Sequence, residues 1–289
     1  MYFDWLTWSV WLIGFAILII WIYLPLKEFR KLYKTRKSGG KGEETPKTAA
    51  VILAAGRSTR MKSDLNKVLL PVLGRPIIRY QIDALKEVKV EKIVVVIGYQ
   101  ADRVKEELGR EVEYVYQREQ LGTGHALQQA EEKLKSFGEN LDLIVTVGDN
   151  PYLKPHNIRR LIDHYRKSGA DAAFVSVIFE SPPPYGRVIR DKLGKVKKIV
   201  EELDASPEQL KIKEVNSSIY CFKASAVLPL LSEIKNDNAK KEYYLTDIIG
   251  ILASRGYRVE ALISSDQKVA KGINTLEELG AAKKLIFRS

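Results

Sequence analysis

The chain has 289 residues, 45% hydrophobic and 29% charged, enough for one sizeable α/β domain with an extension. Its single cysteine excludes an intrachain disulfide, and its three scattered histidines have no zinc-site spacing. A net charge of +11 without an aromatic-interleaved basic stripe argues against a nucleic-acid binder. It suits a substrate carrying several phosphates and an anionic membrane surface.

From Trp5 to Leu26 no residue is charged. As a helix these positions would span roughly 33 Å, close to the ~30 Å hydrocarbon core of a bilayer. Trp5, Trp8, Trp21 and Tyr23 suit the two interfaces, and Pro25 falls where a helix can stop. A cleaved signal peptide fits poorly, because there is no basic segment ahead of the apolar run and no small-x-small cleavage site after it. Residues 1–26 are therefore expected to be a single-pass membrane anchor. Lys27 to Lys37 is strongly basic and stays cytoplasmic by the positive-inside rule. Ser38 to Pro46 reads as a flexible linker, so 27–47 forms a basic juxtamembrane segment and linker. The remaining 48–289 would form one domain facing the cytoplasm.

Beyond the linker, strand and helix patterns alternate. Apolar β-rich runs lie at Ala49–Leu53, Lys92–Ile97, Val112–Tyr116, Leu143–Val147 and Ala172–Val177. Helical patterns lie between them at Ile77–Lys86, Ala101–Leu108, Gly124–Leu134 and Asn157–Lys167. Continuous apolar strands separated by helices predict a mainly parallel sheet covered on both faces. Beyond residue 178 shorter, antiparallel-looking strands and Pro182-Pro183-Pro184 predict an insertion over the sheet edge.

The first strand runs into Leu53-Ala54-Ala55-Gly56-Arg57-Ser58-Thr59-Arg60-Met61, with Lys67 following. Small residues let backbone N–H groups approach an anion, and Arg60 and Lys67 can neutralise a polyphosphate. This is not the Gly-x-Gly-x-x-Gly turn of a dinucleotide-binding fold. Gln117-Arg118-Glu119-Gln120-Leu121-Gly122-Thr123-Gly124-His125 opens a helix, and Gln117 offers both donor and acceptor to a base edge. The plainer reading of that stretch is a helix start capped by Thr123. Gly148-Asp149-Asn150-Pro151 ends a strand on a carboxylate, the oxygen ligand a hard Mg²⁺ prefers. Four further pieces follow: Tyr185-Gly186-Arg187, Ile199-Val200-Glu201, Glu214-Val215-Asn216-Ser217-Ser218 and Tyr243-Tyr244-Leu245-Thr246-Asp247. A fifth is Gly272-Ile273-Asn274.

In this order and spacing the pieces resemble the sugar-1-phosphate nucleotidyltransferases. The likeness is greatest to the uridylyltransferase domain of the bifunctional N-acetylglucosamine-1-phosphate uridylyltransferases/glucosamine-1-phosphate acetyltransferases, and covers roughly residues 48–283. The resemblance implies a Rossmann-like nucleotidyltransferase fold with a mixed, mainly parallel sheet. It implies Arg60, Lys67 and Asp149 as catalytic residues, and Mg²⁺ held by Asp149 and Asn274. It also implies nucleotide binding by Leu53, Ala54, Ala55, Gly56, Lys67, Gln117, Gly122 and Thr123. Sugar binding would fall to Gly186, Glu201, Asn216, Tyr243 and Thr246. The chain departs from the family pattern at Ser58, where a glycine is usual, and at Val147, where an aromatic is frequent. It departs again at Ser217-Ser218, where Thr-Gly is usual. It has no hexapeptide repeats, so acetyltransferase activity is not expected.

The expected reaction joins UTP and N-acetylglucosamine 1-phosphate into UDP-N-acetylglucosamine and pyrophosphate. A membrane glycosyltransferase would be the consumer. Two other readings stay open: the same chemistry on another sugar phosphate or nucleotide, and a non-catalytic UDP-sugar-binding module at the membrane.

Overall fold

A computed structural model describes residues 46–57, 61 and 63–287. The expected anchor, most of the juxtamembrane segment and linker, and Ser58 to Arg60 lie outside the described residues. No helix among the described residues is long and apolar enough to cross a membrane. Residues from Pro46 onward form one compact unit.

The framework is a nine-stranded mixed sheet among the described residues. Its strands are β1 (Lys47–Leu53), β4 (Lys92–Ile97), β5 (Glu113–Tyr116), β6 (Leu141–Val147), β7 (Ala172–Ile178), β8 (Arg187–Arg190), β9 (Val196–Val200), β10 (Glu214–Lys223) and β11 (Val259–Ser264). A separate small hairpin holds β2 (Pro71–Val72) and β3 (Arg75–Pro76). The main order is β11-β7-β10-β6-β1-β4-β5. Strands β6, β1, β4 and β5 run parallel.

Alternation of side chains explains why both faces of the sheet are buried. Ala49, Val51 and Leu53 of β1 face one core, and Ala50 and Ile52 face the other. The first core is covered by α3 (Thr123–Gln129), α7 (Ala224–Val227) and α8 (Asp247–Ser254). The second is covered by α1 (Ile77–Glu87), α2 (Ala101–Leu108) and α5 (Pro155–Ser168). In α1 the buried Ile78, Ile82 and Leu85 recur at helical spacing, which gives that helix its single apolar stripe. The remaining helices are α4 (Glu131–Lys135), α6 (Pro207–Leu210) and α9 (Leu276–Phe287).

The structure corrects two expectations. The helix expected over Gly124–Leu134 is two helices, α3 and α4. The Ala130 N–H closes a tight turn onto the Leu127 carbonyl at 3.0 Å, and Ala130 is buried against the core. No glycine or proline marks the break, so packing rather than local propensity sets it. The chain beyond residue 178 does not all lie over the sheet edge either. The β8–β9 hairpin branches off β10, but β10 itself runs antiparallel through mid-sheet between β6 and β7. Its alternate residues fill both cores, Tyr220 and Phe222 on one face and Ile219 and Cys221 on the other. A strand with two apolar faces is satisfied where layers cover both, as they do for β10 in mid-sheet. Burial also pushes the Cys221 thiol well up, as suits an inert core residue.

Topology now positions the site. From β1 the chain winds outward through β4 and β5, then crosses back to β6 on the other side of β1. Leu53 and Val147 are register partners, so the loops after β1 and β6 leave from adjacent strand ends. Ligand crevices in open α/β sheets form at such a reversal, outside the carboxyl ends of the strands.

Candidate active site

A cleft of about 820 Å³ opens at that reversal. Leu53, Ala54, Ala55, Gly56 and Arg57 form one wall, and Gln117, Gly122 and Thr123 another. Its size is within the range that takes a nucleotide-sized ligand. A second pocket of about 180 Å³ adjoins it, lined by Tyr185, Gly186, Asn216, Ser217 and Ser218 among others. Asp149, Glu201 and Asn274 line both.

The wall after β1 is fixed from below. The Ala54 N–H donates to the Val96 carbonyl at 2.9 Å, and the Tyr99 N–H donates to the Ala55 carbonyl at 3.1 Å. Asn66, fully buried, donates from Nδ2 to the Tyr99 carbonyl at 2.8 Å and accepts from the Val68 N–H at 3.2 Å. That bond caps the short turn carrying Lys67 and aims it into the cleft.

Lys67, Asp149 and Asn274 meet where the two pockets join. The Lys67 ammonium pairs with Asp149 Oδ2 and donates to Asn274 Oδ1 at 3.0 Å. These residues come from three separate stretches of the chain, 82 and 207 positions from the lysine. Asp149 stands just past the end of β6, and its carbonyl accepts from the Ile273 N–H at 2.9 Å. The Glu278 carboxylate accepts from the Asn274 and Thr275 N–H groups at 2.6 and 3.1 Å, which holds the turn ahead of α9.

The residues present fit a hard divalent cation. Asp149 Oδ1 is buried without a hydrogen-bond partner. Gly272 leaves room beside it, since a Cβ there would lie 3.0 Å from that oxygen. Asp149 and Asn274 each supply a side-chain oxygen at the junction of the pockets, where both meet the Lys67 ammonium. No group of three or more His, Cys, Asp and Glu among the described residues could hold a metal, so phosphates and water would complete the shell.

The wall containing Gly122 depends on its backbone. Gly122 has φ of 114°, and a Cβ there would lie 2.6 and 2.8 Å from backbone atoms of Tyr243. The neighbouring Gly124 N–H donates to the Tyr243 carbonyl at 2.7 Å, and the Tyr243 N–H donates to the Leu121 carbonyl at 2.8 Å. Thr123 does not cap α3, as the plainer sequence reading expects. Its hydroxyl accepts instead from the Leu245 N–H at 3.0 Å and ties the two segments together. Gln117 uses one amide donor on the Gly122 carbonyl at 3.0 Å, so part of its expected base-reading capacity is already used within the protein.

The smaller pocket is built on β10 and the β8–β9 hairpin. The Asn216 N–H donates to the Gly186 carbonyl at 2.9 Å. Its side chain donates to the Tyr220 phenol at 2.7 Å and accepts from the Ser218 N–H at 3.2 Å. Glu201 is half-buried, desolvation raises its carboxyl, and the Thr246 hydroxyl donates to it at 2.9 Å.

Most residues expected from the sequence thus line the pockets, with three exceptions. Arg60 lies outside the described residues. Tyr243 does not line either pocket: its backbone clamps the Gly122 loop, and its ring packs 6.1 Å from that of His125. Thr246 stands behind Glu201, buried, and donates its hydroxyl to that carboxylate. The next tyrosine, Tyr244, reaches the cleft instead. Sequence reasoning also missed Asn66 and the buried Gln81, which donates to the Val147 carbonyl at 2.6 Å. It missed Arg57 too, whose Nε donates to Gln120 Oε1 at 3.2 Å across the cleft. The signals were the adjacency of Asn66 to Lys67 and the place of Arg57 as one of the two cations in the loop after β1.

The fold is shared with the solved structure of a UDP-glucose pyrophosphorylase complexed with UDP-glucose. The TM-score is 0.69 at 18% identity, over 84% of this chain and 99% of that one. The chain belongs to the MobA-like NTP transferase domain family, whose model matches residues 50–215. It is similar to the bifunctional protein GlmU of Oceanobacillus iheyensis, 43% identical over 82% of this chain and 52% of that protein. GlmU of Caldanaerobacter subterraneus is 41% identical over 83% of this chain and 51% of that protein. The chain spans about half the length of the curated relatives it matches.

Proposed function

We propose that this protein is a membrane-anchored sugar-1-phosphate nucleotidyltransferase, with UTP and N-acetylglucosamine 1-phosphate as its pair. The observation that carries the reading is the meeting of Lys67, Asp149 and Asn274 where a nucleotide-sized cleft joins a sugar-sized pocket. The reacting phosphates must lie where nucleotide and sugar meet, and the charged groups stand at that place.

In the reaction an anionic phosphate oxygen of the sugar phosphate attacks the α-phosphorus of the nucleotide. The new P–O bond forms as the bond to pyrophosphate breaks, and the electron pair leaves with pyrophosphate. No side-chain nucleophile is required, so the protein's work is positioning and charge stabilisation. The Ala55-Gly56 backbone and Arg57 hold the nucleotide phosphates. Lys67 exchanges its contacts with Asp149 and Asn274 for the phosphate oxygens. Gln117, Gly122 and Thr123 hold the nucleoside, and Glu201 and Asn216 the sugar. Mg²⁺ held by Asp149 and Asn274 would supply neutralisation of phosphate charge. Arg60 would add a second cation to the transferring phosphates.

The test is pyrophosphate release by the purified chain with Mg²⁺, across UTP, dTTP, CTP and GTP, each with N-acetylglucosamine 1-phosphate or glucose 1-phosphate. Release confined to UTP with the N-acetylated sugar is expected. A preference for another pair would move the substrate and keep the chemistry. No release with any pair would favour a non-catalytic sugar-nucleotide-binding module.

A further inference from the structure

The pairing of β10 with β7 loses register between Asn216 and Tyr220. Within that irregularity Ser218 has φ of 60°, in the left-handed region where glycine is the default and an L side chain is strained. Its neighbour Ser217 has an internal task, since its buried hydroxyl donates to the Val175 carbonyl at 2.8 Å. Ser218 is only half-buried and lines the smaller pocket beside Asn216 and Gly186.

The surroundings of Ser218 are rigid. Its N–H donates to Asn216 Oδ1 at 3.2 Å, and its side chain interacts with the Tyr220 phenol. The same phenol accepts from Asn216 Nδ2 at 2.7 Å. Tyr220 is 2% exposed and stacked on Phe222 at 5.5 Å, so the phenol cannot follow a moving partner. Backbone strain at a ligand pocket persists where the strained residue has a use. A hydroxyl both donates and accepts, so one partner in Tyr220 leaves capacity for a ligand.

We propose that Ser218 is a sugar-contacting residue, held in the left-handed turn so that its hydroxyl meets a polar ring substituent alongside Asn216. The inference rests on the reading that the smaller pocket takes the sugar. It predicts an unusual pairing of effects. In Ser218→Gly the backbone relaxes while the hydroxyl is lost, so the variant gains stability and loses sugar affinity together.

The experiment is calorimetric titration of the purified chain and of Ser218→Gly with UDP-N-acetylglucosamine, UDP-glucose and UDP, beside thermal melts of both proteins. The melting temperature of the variant should rise by about 2–4 °C. Its affinity for the sugar nucleotide that the parent prefers should fall about threefold to tenfold, the effect of one neutral hydrogen bond, with UDP affinity unchanged. Unchanged sugar-nucleotide affinity overturns the inference, as does an equal loss for UDP. A parent that binds neither sugar nucleotide more tightly than UDP overturns the sugar reading of the pocket, and this inference with it.

Discussion

At the scale of residues, Lys67 and Asp149 differ in what their loss would remove. Asp149→Ala removes the carboxylate at the junction of the pockets while leaving the backbone that bonds Ile273. The expected outcome is loss of turnover with the folded protein intact, checked by pyrophosphate release beside circular dichroism. Lys67→Met keeps the length of the stem and removes the charge. It should slow turnover at least a hundredfold, the usual effect of losing one strong contact to developing charge, about 2.7–4 kcal/mol. Thr246 makes a different prediction, because it acts through Glu201. Thr246→Val takes away the hydroxyl that donates to that half-buried carboxylate, a bond to a charged group of about 1.5–3 kcal/mol. The KM for the sugar phosphate should rise roughly tenfold, with the KM for UTP unchanged. An equal rise in both would place Thr246 elsewhere in the mechanism.

At the scale of elements, the segment Leu121–Gly124 and the segment Tyr243–Leu245 form one unit. Three bonds join them: Gly124 N–H to the Tyr243 carbonyl, Tyr243 N–H to the Leu121 carbonyl, and Leu245 N–H to the Thr123 hydroxyl. The close approach exists because residue 122 has no side chain. Gly122→Ala would press a methyl group onto the Tyr243 backbone at a φ that L residues avoid. A loss of about 2 kcal/mol or more in denaturant unfolding is expected, with loss of nucleotide binding. The β10 strand shows the other side of element-level reasoning. Its apolar residues alternate onto both faces, yet the expectation placed its region over the edge, because short antiparallel strands and prolines surround it.

At the scale of the molecule, stability carries a pH signature. Asp247, in the first turn of α8, has its carboxyl pushed up from 3.8 to about 6. Burial is the main cause, and Glu201, Asp237 and Asp204 add to it. The helix N-terminus favours the charged form but is outweighed. Because the folded state raises this pKa, the protonated form is the one the fold favours. Its stabilisation is complete below about 3.8 and is lost as pH rises through about 6. Asp247→Asn should therefore melt at a higher temperature than the parent at pH 8. It should also flatten the dependence of melting temperature on pH between 4 and 7. The proposed anchor is tested at the same scale. The full chain should sediment with membranes, and a chain lacking residues 1–40 should stay in the supernatant with unchanged turnover.

Sequence by itself determined the alternation of β and α, the bounds of β4 and α2, and the loop residues after β1 that line the cleft. These are local properties: apolar periodicity, small residues at a strand end, and cations close behind them. It also determined the family, because several short motifs in one order constrain each other more than any one does alone. Tertiary structure alone decided that Lys67 sits between Asp149 and Asn274. It also decided that Thr246 supports Glu201 rather than lining a pocket, and that Tyr244 rather than Tyr243 reaches the cleft. These depend on which strands become neighbours. Pairing across 207 positions leaves no trace in local propensity, since it is fixed by how two buried faces of one sheet are covered.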